Sequence, residues 1–171
     1  MDELMDALRY VLPSVVVFLT AYLLLREFFR METNRRRMEA LSERVRISLP
    51  LRLQAYERIV LLLERISAGN LLPRLYQPEL TAAEFQRLLV QAVRDEYNHN
   101  LSQQLYVSRQ AWDLVKSARE EVIRQINTAS AQVDSQASAA DLSNKMLEFS
   151  VEKSATGRAL DFLKAEAAKV F

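Results

Sequence analysis

The chain has 171 residues, of which 50% are hydrophobic and 26% are charged, and its net charge is +1. It contains two glycines, four prolines, one histidine and no cysteine. Hairpins and barrels need glycine at turns with positive φ, and proteins average about 7% glycine, so this composition favours an all-α fold over a β fold. The absence of cysteine excludes disulfides, cysteine-based zinc sites and thiol nucleophiles.

The beginning of the chain predicts an uncleaved transmembrane helix, which we assign to residues 1–30. The sixteen residues from Tyr10 to Leu25 include no charged side chain. As a helix they span about 24 Å, against a hydrocarbon core of about 30 Å, and the neighbours Leu8 and Phe28 lengthen the apolar segment. The residues expected to form the anchor are Tyr10, Val15, Val16, Val17, Phe18, Leu19, Leu23, Leu24 and Leu25.

The two alternatives to an anchor are a cleaved signal peptide and a buried core helix. A signal peptide begins with basic residues, whereas this chain begins with the acids Asp2, Glu3 and Asp6. A core helix is seldom apolar on every face. Both alternatives are therefore less favoured than a membrane anchor.

Several arginines follow the apolar segment and predict its orientation. They are Arg26, Arg30, Arg35, Arg36 and Arg37. By the positive-inside rule the amino terminus lies outside the inner membrane and the remaining domain lies in the cytoplasm. These arginines lack interleaved aromatic residues and are diluted by glutamates, so we expect them to contact anionic lipid headgroups rather than nucleic acid.

Helical spacing of apolar residues continues after the anchor. Met38, Leu41 and Val45 predict that the helix runs on to about Ile47 and ends at 48–50, so we assign 31–50 to a juxtamembrane basic stalk. Residues 51–66 then predict the central core helix, because one wide stripe recurs at spacings of three and four. That stripe is Ala55, Tyr56, Ile59, Leu62, Leu63 and Ile66, and it is widened by Leu53 and Val60.

The segment 69–80 contains most of the helix breakers and predicts a loop, with Gly69 capping the core helix. Thr81 and Glu84 have the capping-box spacing that starts another helix. We expect a turn at 98–102, a strand-like segment at 105–107, and a helix begun by Ser108 whose apolar stripe covers 115–133. The predicted bundle domain is 51–135, followed by C-terminal amphipathic helices in 136–171.

The strongest pattern for chemistry is Glu96 followed by His99. A glutamate and a histidine at i and i+3 present two metal ligands from one face of a helix, as in ferritin-like sites. Such sites need a second copy of the motif, and His99 is the only histidine. No nucleophile elbow or phosphate-binding loop is present either. We therefore predict no enzyme activity, no cofactor and no metal, and keep a metal-dependent enzyme at Glu96 and His99 as an alternative.

Two strings and a tryptophan carry a resemblance to a known family. LRLQAYERIVLLLERIS at 51–67, EYNHNLSQQLYVS at 96–108 and Trp112, together with the amino-terminal anchor, resemble an uncharacterised Bacteroidota family of short single-span membrane proteins with a helical cytoplasmic domain. The resemblance covers roughly residues 5–127 and implies a lineage and an address in the cell envelope. It draws attention to a polar cluster that would seat the loop against the core helix: Tyr56, Glu57, Arg58, Glu96, His99 and Asn100.

The architecture is also similar to that of the membrane-anchored b-type subunits of rotary ATPases, which combine one span with a helical stalk. From all of this we expect an all-α protein in which one transmembrane helix leads through a stalk to a small bundle. Its expected function is that of a non-enzymatic adaptor or accessory subunit of a larger inner-membrane complex, for example translocation or secretion machinery. The expected partners are lipids and other membrane proteins, and the alternative is a homo-oligomeric scaffold assembled through the stalk and the 115–133 stripe.

Overall fold

The computed structural model describes residues 2–149 and 155–169, and the side chains of 15–39, 42, 43, 45–149 and 155–169. The described part contains six α-helices and one 3₁₀ helix at Leu101–Leu105. The α-helices are α1 (Asp2–Ile66), α2 (Ala68–Leu75), α3 (Ala82–His99), α4 (Arg109–Ser130), α5 (Ala139–Phe149) and α6 (Ala155–Ala167). No strand forms in these residues, which confirms the predicted all-α class.

The chain divides into two compact units, residues 1–49 and residues 50–171. In the first unit, the side chains of 15–31 are all exposed, including those predicted to form the anchor. The predicted anchor residue Tyr10 belongs to α1, but its side chain lies outside the described part. Across the residues that the structure describes, no helix carries an apolar stretch long enough to cross a membrane.

The second unit is a helical bundle whose core contains the predicted stripe of α1. All six residues of that stripe are buried, together with apolar residues from every later α-helix. Helix α4 contacts α3, α5 and α6, so it lies at the centre of the bundle. The stripe at 115–133 faces this core, because Val115, Ala118, Val122 and Ile126 are all buried. The chain's own helices therefore cover these residues of the stripe, and the homo-oligomeric scaffold stays a prediction.

Three local predictions differ from the structure. Pro50 does not end the first helix, which continues to Ile66 because the buried stripe that follows favours helix in spite of the lost backbone donor. The predicted loop at 69–80 contains α2, and Gly69 lies inside that helix rather than capping α1. Leu71 and Leu72 are buried, which offsets the weak helix propensity of Gly69 and Pro73.

The third difference is at 105–107, where the structure has the end of a 3₁₀ helix and a turn instead of a strand-like segment. The starts of α3 and α4 are as the sequence predicts. Thr81 accepts a hydrogen bond from the Glu84 amide at 3.3 Å, and the Glu84 carboxylate accepts one from the Thr81 amide at 3.0 Å. The Ser108 hydroxyl accepts from the Ala111 amide at 3.1 Å. These caps satisfy amides that a helix start leaves unpaired.

Helices α3 and α5 begin side by side. An isolated antiparallel bridge joins Thr81 to Ser138, with the Ala82 amide donating to the Ala137 carbonyl at 2.7 Å. Through this pairing the residues after 135 belong to the same unit as 50–135, and the predicted bundle and C-terminal helices form one body.

Candidate functional site

A groove of the bundle unit with a volume of about 620 Å³ lies between α1, α2 and the end of α3. Helix α1 contributes Arg58, Leu61 and Arg65, and α2 contributes Arg74. The residues from α3 and its C-cap are Ala92, Asp95, Glu96, His99 and Asn100. The groove thus combines three arginines with two carboxylates and the single histidine.

One ion pair joins the two walls of the groove. The Arg65 Nε lies 2.8 Å from the Glu96 Oε2, and the Glu96 side chain is 16% exposed while that of Arg65 is 53% exposed. Arg74 donates from Nη2 to the Arg65 backbone carbonyl at 3.3 Å. The Arg65 guanidinium therefore pairs with the Glu96 carboxylate and still remains half exposed in the groove.

Some of the remaining polar side chains of the groove have hydrogen-bond partners within the protein, and others have none among the described residues. Asp95 accepts a hydrogen bond from the Gln91 amide at 2.7 Å, and the buried Asn100 donates to the Glu96 carbonyl at 2.9 Å. Within the described part of the chain, Arg58 and His99 have neither a hydrogen-bond partner nor an ion-pair partner. These two side chains are free to receive a ligand from the groove.

The structure brings four of the six residues of the predicted polar cluster to this groove: Arg58, Glu96, His99 and Asn100. Glu57 is exposed on α1, and Tyr56 is buried and points to a different contact. Sequence reasoning missed Arg65 and Arg74. The signal for Arg65 was its spacing of seven residues from Arg58, which places both on one helix face.

The contact of Tyr56 is a second polar cluster, which we call the Glu166 tie. The Glu166 carboxylate of α6 accepts hydrogen bonds from the Tyr56 hydroxyl of α1 at 2.5 Å and from the Ser108 amide at 3.2 Å. It also accepts from the Ser108 hydroxyl, which itself caps α4. One carboxylate therefore joins the last helix of the bundle to α1 and to the start of α4.

The electrostatics of the Glu166 tie favour its ionised carboxylate. Burial would raise the pKa of Glu166, but hydrogen bonds from Ser108 and Tyr56 and the nearby charge of Arg52 together bring this pKa below its ordinary value. The pKa of Tyr56 is raised, first by burial and then by its hydrogen bond to Glu166. The tie is thus a charge-assisted structural contact in which the tyrosine stays protonated.

The predicted metal pair Glu96 and His99 lies in the groove, but Glu96 is already paired with Arg65. Among the described residues, no three side chains of histidine, cysteine, aspartate or glutamate are grouped so that they could hold a metal ion. A metal at this pair would have to displace a guanidinium from its carboxylate and find its other ligands elsewhere.

The predicted juxtamembrane arginines lie along the exposed part of α1. Arg30 lies 3.9 Å from Glu27, Arg36 lies 2.8 Å from Glu32, and Arg35 lies 2.8 Å from Glu39. Each pair is spaced three or four residues apart, a spacing that places the two charges side by side on a solvated helix. Arg26 and Arg37 have no described partner.

The comparisons with known proteins identify a family. No curated protein and no solved structure is significantly similar to the chain. One family model, described as a family of unknown function and designated DUF7935, matches residues 2–170. Because this match covers almost the whole sequence, the chain belongs to the DUF7935 family.

Proposed function

We propose that this chain is a membrane-anchored, non-enzymatic adaptor or accessory subunit of a larger inner-membrane complex. In this proposal the first part of α1 spans the membrane once, with the amino terminus outside, and the bundle unit lies in the cytoplasm and contacts partner proteins. Translocation or secretion machinery is one candidate for the complex. The proposal keeps the function expected from the sequence and rests on the exposure of the apolar part of α1.

The observation that carries the proposal is an apolar segment whose side chains, as far as the structure describes them, are all exposed. Every side chain from Val15 to Leu25 is exposed, and Phe18 and Leu24 are 69% and 67% exposed. The segment is apolar on every face of the helix, so burying one face against a partner helix would leave the others in water. The hydrocarbon core of a membrane would cover every face of this helix at once.

The length of the segment defines how much of α1 the span must include. Eleven residues from Val15 to Leu25 rise about 16 Å, which is about half of a hydrocarbon core of about 30 Å. The proposed span therefore also needs residues 7–14, whose side chains lie outside the described part, and the aromatic pair Phe28 and Phe29. Arg26 would extend its long side chain to the headgroups.

The charged continuation of α1 fits a position in water beside the membrane. The ion pairs at 27–46 join arginines and glutamates along an exposed helix. Pairs at these spacings stabilise a helix that is surrounded by water. The excess of arginine over acid just after the apolar segment favours the cytoplasmic side for this end.

Alkaline carbonate extraction of membranes from cells that express the full chain tests the anchor. We expect the wild-type chain to stay in the membrane pellet. The double variant Leu19→Glu with Leu23→Glu places two charges in the span, each costing about 2.5–3.5 kcal/mol at a helix centre, and we expect it in the supernatant. The control is Leu105→Glu, which alters an apolar residue of the bundle unit that is 79% exposed, more than Leu19 or Leu23.

A wild-type chain that leaves the pellet, or a Leu105→Glu variant that leaves it as readily as the double variant, would overturn the anchor. Gentle detergent extraction followed by sizing then tests the adaptor function. We expect one membrane-protein partner to co-purify in a fixed ratio. A monodisperse particle that contains this chain alone contradicts an adaptor, and if that particle is oligomeric it favours the scaffold instead.

A further inference from the structure

We infer that the groove between α1, α2 and α3 binds an acidic segment of a partner protein, in which two carboxylates about 10 Å apart flank an apolar side chain. This inference deepens the proposed adaptor function and rests on it, because it names the chemistry by which the bundle would recognise its partner.

The positive charges of the groove come from two helices. Arg58 and Arg65 stand seven residues apart on α1, which is two helical turns or about 10.5 Å along the axis. Arg74 adds a third guanidinium from α2. Because a guanidinium binds a carboxylate through two parallel hydrogen bonds, the spacing of Arg58 and Arg65 matches two carboxylates carried at an interval along a chain.

The floor between the arginines is apolar. Leu61 lies between Arg58 and Arg65 on the same face of α1 and is 52% exposed, and Ala92 faces it from α3. Covering an exposed leucine in a concave site with another apolar group is favourable, because it removes apolar surface from water. A single phosphate would be small for charges this far apart and would leave Leu61 uncovered, so a peptide segment fits both features better.

The acids of the groove leave the arginines only partly neutralised. Asp95 accepts from Gln91 on its own helix, and Glu96 holds Arg65. Arg58 has no partner within the described part, so a ligand carboxylate can bind it without breaking an existing contact. A carboxylate at Arg65 must instead compete with Glu96. Glu96 therefore acts as an internal competitor of the ligand, and its removal should strengthen binding.

Fluorescence anisotropy with the full chain in detergent micelles tests the inference. The probe is a fluorescein-labelled peptide in which a leucine is flanked by glutamates, titrated at low and at high salt. We expect binding that weakens as salt is raised. The double charge reversal Arg58→Glu with Arg74→Glu should weaken binding by at least about tenfold, and Glu96→Gln should strengthen it by about threefold or more.

The matched control is Arg87→Glu, which changes the net charge by the same amount as either single reversal at an exposed position of α3 outside the groove. We expect it to change the affinity by less than about twofold. A probe with glutamines in place of glutamates should not bind, and a probe with serine in place of leucine should bind more weakly.

Several results would overturn the inference. They are the absence of binding, an equal loss of affinity in Arg87→Glu, no gain in Glu96→Gln, and full competition by inorganic phosphate at low millimolar concentration. Phosphatidylserine vesicles that bind through Arg58 and Arg74 while the peptide does not would assign the groove to lipid instead. The peptide assay is done in detergent and does not depend on a membrane anchor. A failed carbonate extraction would therefore contradict the anchor but not peptide binding, so the two proposals can be refuted separately.

Discussion

The Glu166 tie predicts a measurable contribution of one carboxylate to the stability of the bundle unit. Glu166 accepts three hydrogen bonds, from the Tyr56 hydroxyl and from the amide and hydroxyl of Ser108. In Glu166→Gln one carboxylate oxygen becomes an amide donor that faces other donors. A hydrogen bond to a charged acceptor contributes about 1.5–3 kcal/mol and a neutral one about 0.5–1.5 kcal/mol. Since the site is only half buried, we expect the variant to lose about 1–2 kcal/mol at pH 7.

The loss should depend on pH in a defined direction. The pKa of Glu166 in the folded protein is below its ordinary value of 4.5, so the unfolded chain binds the proton more readily. The stabilisation is then fully present above pH 4.5 and disappears as the pH falls through the lower folded pKa. We expect the difference in unfolding free energy between wild type and Glu166→Gln to shrink steadily below about pH 4.5.

Urea unfolding of the full chain in detergent, followed by tryptophan fluorescence, measures this difference. Trp112 is the single tryptophan and is 7% exposed in the bundle, so its emission reports the unfolding of that unit. The matched control is Glu57→Gln, an exposed glutamate adjacent to Tyr56, for which we expect less than about 0.5 kcal/mol. Equal stability of Glu166→Gln and wild type at pH 7, or a difference that does not change with pH, would refute the reasoning.

Three further stability changes follow from the described contacts and can be measured by the same unfolding assay. Thr81→Ala removes the capping box with Glu84 and should cost about 1 kcal/mol, with Thr81→Ser retaining most of the stability. Gly69→Ala should stabilise the protein by about 0.4–1 kcal/mol, because a Cβ at this helical position has no atom within 4 Å; destabilisation would contradict it. Phe85→Ala should cost about 3–5 kcal/mol, because this ring is fully buried and packs edge-on against Tyr76.

The parts of the fold that the sequence predicts well are those governed by a single local period. The six central residues of the α1 stripe, from Ala55 to Ile66, are all buried, because a helix in a bundle must bury the face that recurs every 3.6 residues. Leu53, which the sequence predicts to widen the stripe, is 42% exposed. The capping residues Thr81 and Ser108 are also correct, since their hydrogen bonds reach only three residues along the chain. Local rules suffice for both features.

The parts that the sequence predicts poorly depend on contacts between distant segments. Gly69 and Pro73 indicate a loop by their propensity, but burial of Leu71 and Leu72 in the bundle outweighs it. Because the sequence predicted a loop here, it also failed to predict Arg74 as a groove residue, which lines the groove from α2. Glu166 gave no sequence signal at all, since its partners Ser108 and Tyr56 lie 58 and 110 positions away.

Tyr56 and Arg58 are only two positions apart in α1, yet they belong to separate sites, and helix geometry explains why. Successive residues of α1 turn by about 100°, so Tyr56 and Arg58 point to opposite sides of one helix. Tyr56 is buried against Glu166 and holds the bundle together, whereas Arg58 is exposed in the groove. The two sites share no described hydrogen bond or ion pair. Reversal of the charge of Arg58, which has no described partner, should therefore change ligand binding without changing stability, and Glu166→Gln should do the opposite.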